Sequence, residues 1–143
     1  MIFKTQPADF TSKLEVVACY LEHNGKFLLL QRNPRKPYGG AWGLPAGKVD
    51  EGEHTETAVR REVSEETGVT LGEFPIIYLG PLWVRTDDTE FVYHSFRVVI
   101  PHEPQVMLSP AEHQGYRWVT GAEAAEMELI HDLAACNELF CEL

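Results

Sequence analysis

Three glutamates, Glu62, Glu65 and Glu66, lie inside a stretch from His54 to Thr67 that contains neither proline nor glycine. On a helix they fall at i, i+3 and i+4, so all three carboxylates share one face. Two such charges about 5 Å apart, at an effective dielectric of about 20, repel by roughly 3 kcal/mol. A bound cation removes that cost. Oxygen-only donors favour hard ions, and helix-borne carboxylates that share an ion with phosphate groups suit Mg2+ or Mn2+. A solvated acidic face, with Arg61 paired to Glu65, is the competing reading of an isolated Glu62-Val63-Ser64-Glu65-Glu66 string.

The surrounding order decides between the two. Gly47, Glu53, Arg61, Glu62, Val63, Glu65, Glu66, Gly68 and Val69 fill the pattern G-x5-E-x7-R-E-U-x-E-E-x-G-U, where U is apolar. At average residue frequencies such a set arises by chance at roughly 10⁻⁹ per starting position. The stretch 47–69 resembles the Nudix box, and the match is complete. Trp42-Gly43-Leu44-Pro45-Ala46-Gly47 is similar to the family's lead-in, with Ala46 where glycine is commoner. Glu112, ahead of Trp118, resembles the extra carboxylate that many members carry in a late loop.

The resemblance implies a single Nudix hydrolase domain over 1–143, an α/β fold of the α/β/α sandwich type with a mixed sheet. It implies that Glu62, Glu65 and Glu66 hold Mg2+ or Mn2+, with the main-chain carbonyl of Ala46 or Gly47 as a further ligand. Arg61 then stays off the metal and orients a catalytic glutamate, with Glu53 completing the arrangement. The implied reaction is cleavage of a pyrophosphate bond in a nucleoside diphosphate linked to another moiety, a small-molecule nucleotide partner. Water attacks phosphorus, and either a box glutamate (Glu62 or Glu65) or Glu112 takes its proton. Arg32 is the expected phosphate or base contact, and Trp42 the expected stacking surface.

Subfamily markers are missing: Pro81 comes too early for one class and Tyr93 too late for another. A nucleoside triphosphate or a nucleotide sugar is left by elimination. Two other readings share the fold: a nucleotide-binding regulatory module without catalysis, and a prenyl diphosphate isomerase, which would need a reactive cysteine near the site.

These groups need a scaffold, and 143 residues with 44% hydrophobic content suffice for one core. Lys13–Glu22 and Lys26–Arg32 read as strands joined by an Asn24-Gly25 turn, a hairpin signal. Residues 33–40 form a loop, and Trp42–Gly47 a short extended piece. His54–Thr67 reads as a helix stopped by Gly68. Pro75–Val84 and Glu90–Ile100 are strands around a polar tip, and Ser109–Gly115 a loop before a strand at Tyr116–Val119. Thr120 to Glu123 has capping-box spacing, and a last helix runs over Ile130–Phe140.

A formal net charge of −10 argues against a nucleic-acid polymer as partner. Three cysteines without a CxxC pair, and no long apolar run, point to a cytoplasmic protein without a membrane partner, as a monomer or homodimer.

Overall fold

The computed structural model describes residues 1–130 and 133–141. In chain order the elements are β1 (Ile2–Phe3), β2 (Glu15–His23), β3 (Lys26–Arg32), β4 (Trp42–Gly43), β5 (Ala46–Lys48), α1 (Thr55–Thr67), β6 (Ile77–Arg85), β7 (Glu90–Val99), β8 (His113–Val119), α2 (Gly121–Ala124) and α3 (Leu133–Phe140). The strands make one sheet in the order β1-β6-β7-β2-β3-β4, with β5 also on β2 and β8 also on β3. β2 and β7 run parallel, pairing Glu15 with Val92 through to Glu22 with Val99, and the other pairs are antiparallel. The sheet is mixed, as expected.

The hairpin between β2 and β3 forms where the sequence places it. Asn24 and Gly25 both take positive φ, 52° and 77°, as a two-residue turn between right-twisted strands requires. β2 is the centre of the molecule, and Val17 to Leu21 are fully buried. Its alternate side chains feed two cores. Val17, Cys19 and Leu21 join Leu28, Leu30, Val59, Val63 and Phe96 on the α1 side, while Ala18 and Tyr20 join Phe27, Leu29, Leu82, Leu133 and Cys136 on the α3 side. A sheet with apolar residues on both faces has to be covered twice, which is the origin of the α/β/α layering.

α1 is held by Ala58, Val59 and Val63, all completely buried, and ends at Gly68 with φ 73°, where the Gly68 N–H donates to Ser64 O at 2.9 Å. The left-handed turn suits a residue without Cβ. Thr120 caps α2 through a reciprocal pair of bonds with Glu123, as the spacing indicated.

Most element ends shift by one or two residues from the sequence reading, and two differ by more. β8 begins at His113, inside the expected Ser109–Gly115 loop, because Gln31 and Arg32 pair with Gly115 and His113 across a register shift. Backbone pairing of polar residues leaves no hydrophobic alternation to read. α3 starts at Leu133, and the expected helical residues 131 and 132 lie outside the described residues. Among the described residues no helix is long and apolar enough to cross a membrane.

Candidate active site

The exposed face of α1 and the loop before β8 meet across a cavity of about 410 Å³, lined by Arg32, Ala46, Gly47, Glu62, Glu65, Glu66, Ser109 and Glu112. Residues separated by more than 70 positions are brought together because β3 pairs with both β4 and β8 while β2 carries β5. Glu112 N and His113 N both donate to Ser109 O at 3.0 Å, a tight turn that holds the loop beside the sheet edge.

Arg61 organises the near side. Its Nε and one terminal nitrogen donate to the two carboxylate oxygens of Glu53 at 2.9 and 3.0 Å, a bidentate pair. The other terminal nitrogen donates to Glu62 at 2.8 Å and to Glu65 at 3.4 Å. A further bond to Lys48 O at 3.0 Å ties the guanidinium to β5. Hydrogen bonds from Arg61, with one from the Asp50 N–H, bring the Glu53 carboxyl down to about 2, and the hydrogen bonds to Glu53 and then Glu62 raise the Arg61 guanidinium above its ordinary value. Asp50, which is not among the expected site residues, also approaches Arg61 at 3.5 Å.

Glu66 is different. It faces inward and accepts a hydrogen bond from the Ala46 N–H at 2.7 Å. Burial pushes its carboxyl up to about 8 despite that bond, and Glu62 and Glu112 push in the same direction. Burial also raises Glu62, with Arg61 working against it. Glu62 packs against the α-carbon of Gly47, where any Cβ would collide with its carboxyl group. The glycine is required by close approach rather than by its backbone angles.

Among the described residues no three acidic, His or Cys side chains converge closely enough to hold an ion as they stand. Arg61 holds Glu62 and Glu65, and Ala46 holds one oxygen of Glu66. The donor set nonetheless fits a hard divalent cation. It offers oxygen atoms alone, on one wall, with two carboxyls disfavoured as anions until a positive charge reaches them.

Arg32 and Ala46 also line a second cavity of about 410 Å³, apolar in character, between the sheet and α3. Its walls include Leu14, Val16, Leu44, Phe91, Tyr93 and Cys136. Arg32 donates from Nε to Pro37 O at 2.8 Å, which fixes its stem at the junction of the two cavities. Trp42, the other expected substrate contact, lines neither cavity. It packs on the α3-side core, and its backbone is pinned by bonds to Glu128 and Ile130, at 2.8 and 2.9 Å. Tyr38 does line the apolar cavity. The sequence reading missed most of this cavity, since its residues come from distant strands and carry no shared motif, and it passed over Ser109.

A short strand leads into a carboxylate-bearing helix, and both are mounted on a mixed sheet between helices. The NUDIX domain family matches residues 12–138, and the chain belongs to that family. It is 32% identical over 120 residues to the CTP pyrophosphohydrolase of Escherichia coli, covering 81% of this chain and 82% of that protein. It is 32% identical over 113 residues to the asymmetrical bis(5'-nucleosyl)-tetraphosphatase of Sus scrofa, covering 77% and 74%. Among solved structures it is similar to the MutT NUDIX hydrolase of Burkholderia pseudomallei, with a TM-score of 0.76 and 26% identity over 88% of this chain and 96% of that one.

Proposed function

We propose that the chain hydrolyses the pyrophosphate bond of a nucleoside triphosphate in the presence of Mg2+ or Mn2+. The observation that carries this reading is the junction at Arg32 and Ala46, where a carboxylate-lined cavity of about 410 Å³ meets an apolar one of similar size. A charged phosphate chain suits the first and a flat nucleobase the second. A nucleotide sugar would bring a polar second half to an apolar wall, which would leave its hydroxyls without partners.

Glu62, Glu65 and Glu66 would hold the ion, with the Ala46 or Gly47 carbonyl beside them. When bound, a divalent ion neutralises charge on the phosphate oxygens and favours ionisation of water. Arg61 orients Glu62 and Glu65 from behind, and Glu53 fixes Arg61. Glu112 faces the helix from the opposite wall and is the group we assign as general base. It accepts a proton from water as the water oxygen bonds to phosphorus, and the phosphorus–oxygen bond to the leaving phosphate breaks with its electron pair on that phosphate. Arg32 steadies the chain between the two cavities.

No box carboxylate is replaced, which favours catalysis over the regulatory reading. Among the described residues, Cys136 in the apolar wall is a feature that favours a prenyl diphosphate isomerase. A panel of nucleoside triphosphates and nucleotide sugars, assayed for the nucleoside monophosphate formed, with isopentenyl diphosphate assayed for its double-bond isomer, separates the readings. Hydrolysis of triphosphates above the others supports the proposal, and isomerisation abolished by Cys136→Ser refutes it.

A further inference from the structure

Lys36 stands outside the box and outside the family pattern, yet it reaches the site. Its Nζ lies 3.2 Å from Glu112 Oε1, with both side chains about two-fifths exposed, at 38% and 44%. Two further bonds lock its loop onto the loop of Glu112: Asn33 N donates to Glu112 O at 2.9 Å, and Asn33 Nδ2 to Pro110 O at 2.9 Å. Lys36 N donates to Asn33 O and Gly39 N to Lys36 O, at 3.0 and 2.9 Å. A Cβ on Gly39 would run into the Pro34 backbone, so the loop is wound tightly on itself. These bonds tie down the loop backbone, while the Lys36 side chain is held by a single partly exposed ion pair.

An ion pair this exposed adds little stability and exchanges readily. An ammonium is a compact charge with three rotatable donors, and a phosphate group carrying two negative charges competes well against one carboxylate. We propose that Lys36 holds Glu112 in the nucleotide-free protein and passes its ammonium to the outer phosphate of a bound triphosphate, which leaves Glu112 Oε1 open for the proton of water. Lys36 is then a positioning residue that senses the length of the phosphate chain. The inference rests on the reaction proposed above, but its test does not need turnover.

The test is calorimetric titration of the intact protein in Ca2+ with inorganic tripolyphosphate and, separately, with CMP. Lys36→Met should weaken tripolyphosphate binding about tenfold, the size of one charge-assisted contact at a partly exposed site, and leave CMP unchanged. Lys36→Arg should recover binding to within about threefold, since the charge is kept. Equal losses for both ligands, unchanged tripolyphosphate binding, or no tripolyphosphate binding by the parent protein would each overturn the hand-over. Failure of the parent protein to hydrolyse any nucleotide would refute the proposed reaction while leaving the calorimetric result to decide the role of Lys36.

Discussion

Replacing Glu66 by glutamine separates the metal platform from the fold it burdens. The carboxyl stands at about 8 in the folded protein against an ordinary 4.5. A raised carboxyl is more protonated in the folded than in the unfolded chain, so the associated stability is full below pH 4.5 and is lost as pH climbs through about 8. At about 1.4 kcal/mol per pH unit, that gap sets a ceiling near 5 kcal/mol. Relaxation and water entry around an ionised Glu66 bring the expected loss to about 2–3 kcal/mol. Glutamine keeps the shape and can still accept from the Ala46 N–H, but it cannot ionise. Urea unfolding in chelator at pH 5 and pH 9 should therefore give near-equal stabilities at pH 5 and a Glu66→Gln variant about 2–3 kcal/mol more stable at pH 9. With saturating Mg2+ the order reverses, because the variant lacks one of the three ligand charges. Turnover of the variant should fall by about 10³. A stability difference that does not change with pH, or a variant that turns over near the parent rate, would refute the assignment of Glu66.

Other perturbations test neighbouring parts of the site. Chelator should abolish hydrolysis, and Mg2+ or Mn2+ should restore it, measured by the nucleoside monophosphate formed; full turnover in chelator contradicts the role of the carboxylate wall. Glu112→Gln should lower kcat by about 10² or more with KM little changed, the pattern of a lost transition-state role, and a kcat within about twofold returns the base to Glu62 or Glu65. Gly47→Ala should displace Glu62 and cost about 1–3 kcal/mol in denaturant unfolding, with a larger relative loss in turnover; a silent substitution would show that the close approach is unimportant. Arg61→Ala should lower both Tm and turnover, while Glu53→Gln should lower turnover with a smaller change in Tm; equal effects on Tm would put the two residues in one structural unit.

The parts of the site that lie close together in the chain were legible, and the parts assembled by strand pairing were not. Glu62, Glu65 and Glu66 share a face because of helical spacing alone, and Gly68 ends that helix because a left-handed residue must. The Asn24-Gly25 turn carries its own geometry. Glu112 was visible only through its distance to Trp118, since its approach to the box depends on β8 pairing with β3. The apolar cavity draws on Leu14, Phe91 and Cys136, each an ordinary core residue when read singly. Lys36 reads as a solvated charge because its partner lies 76 residues away. The packing of Trp42 on the α3-side core is unannounced for the same reason, since its core partners are distant in the chain.

The parallel pairing of β2 with β7 also governs how the chain can be made. Residues 1–67 contain β2, the hairpin and every carboxylate of the box, but one edge of β2 is completed only by residues 92–99. While a ribosome is still adding the intervening segment, that edge is unpaired, and Ala18 and Tyr20 lack the cover that Leu82, Leu133 and Cys136 later give them. Unpaired edges of this kind recruit other chains, and slow closure of long-range pairs prolongs the exposure. A polypeptide released early, with its carboxylate-bearing helix intact, is therefore expected to aggregate, and translation through Val99 is the step after which the open edge of β2 can be paired, with β8 and α3 still to come.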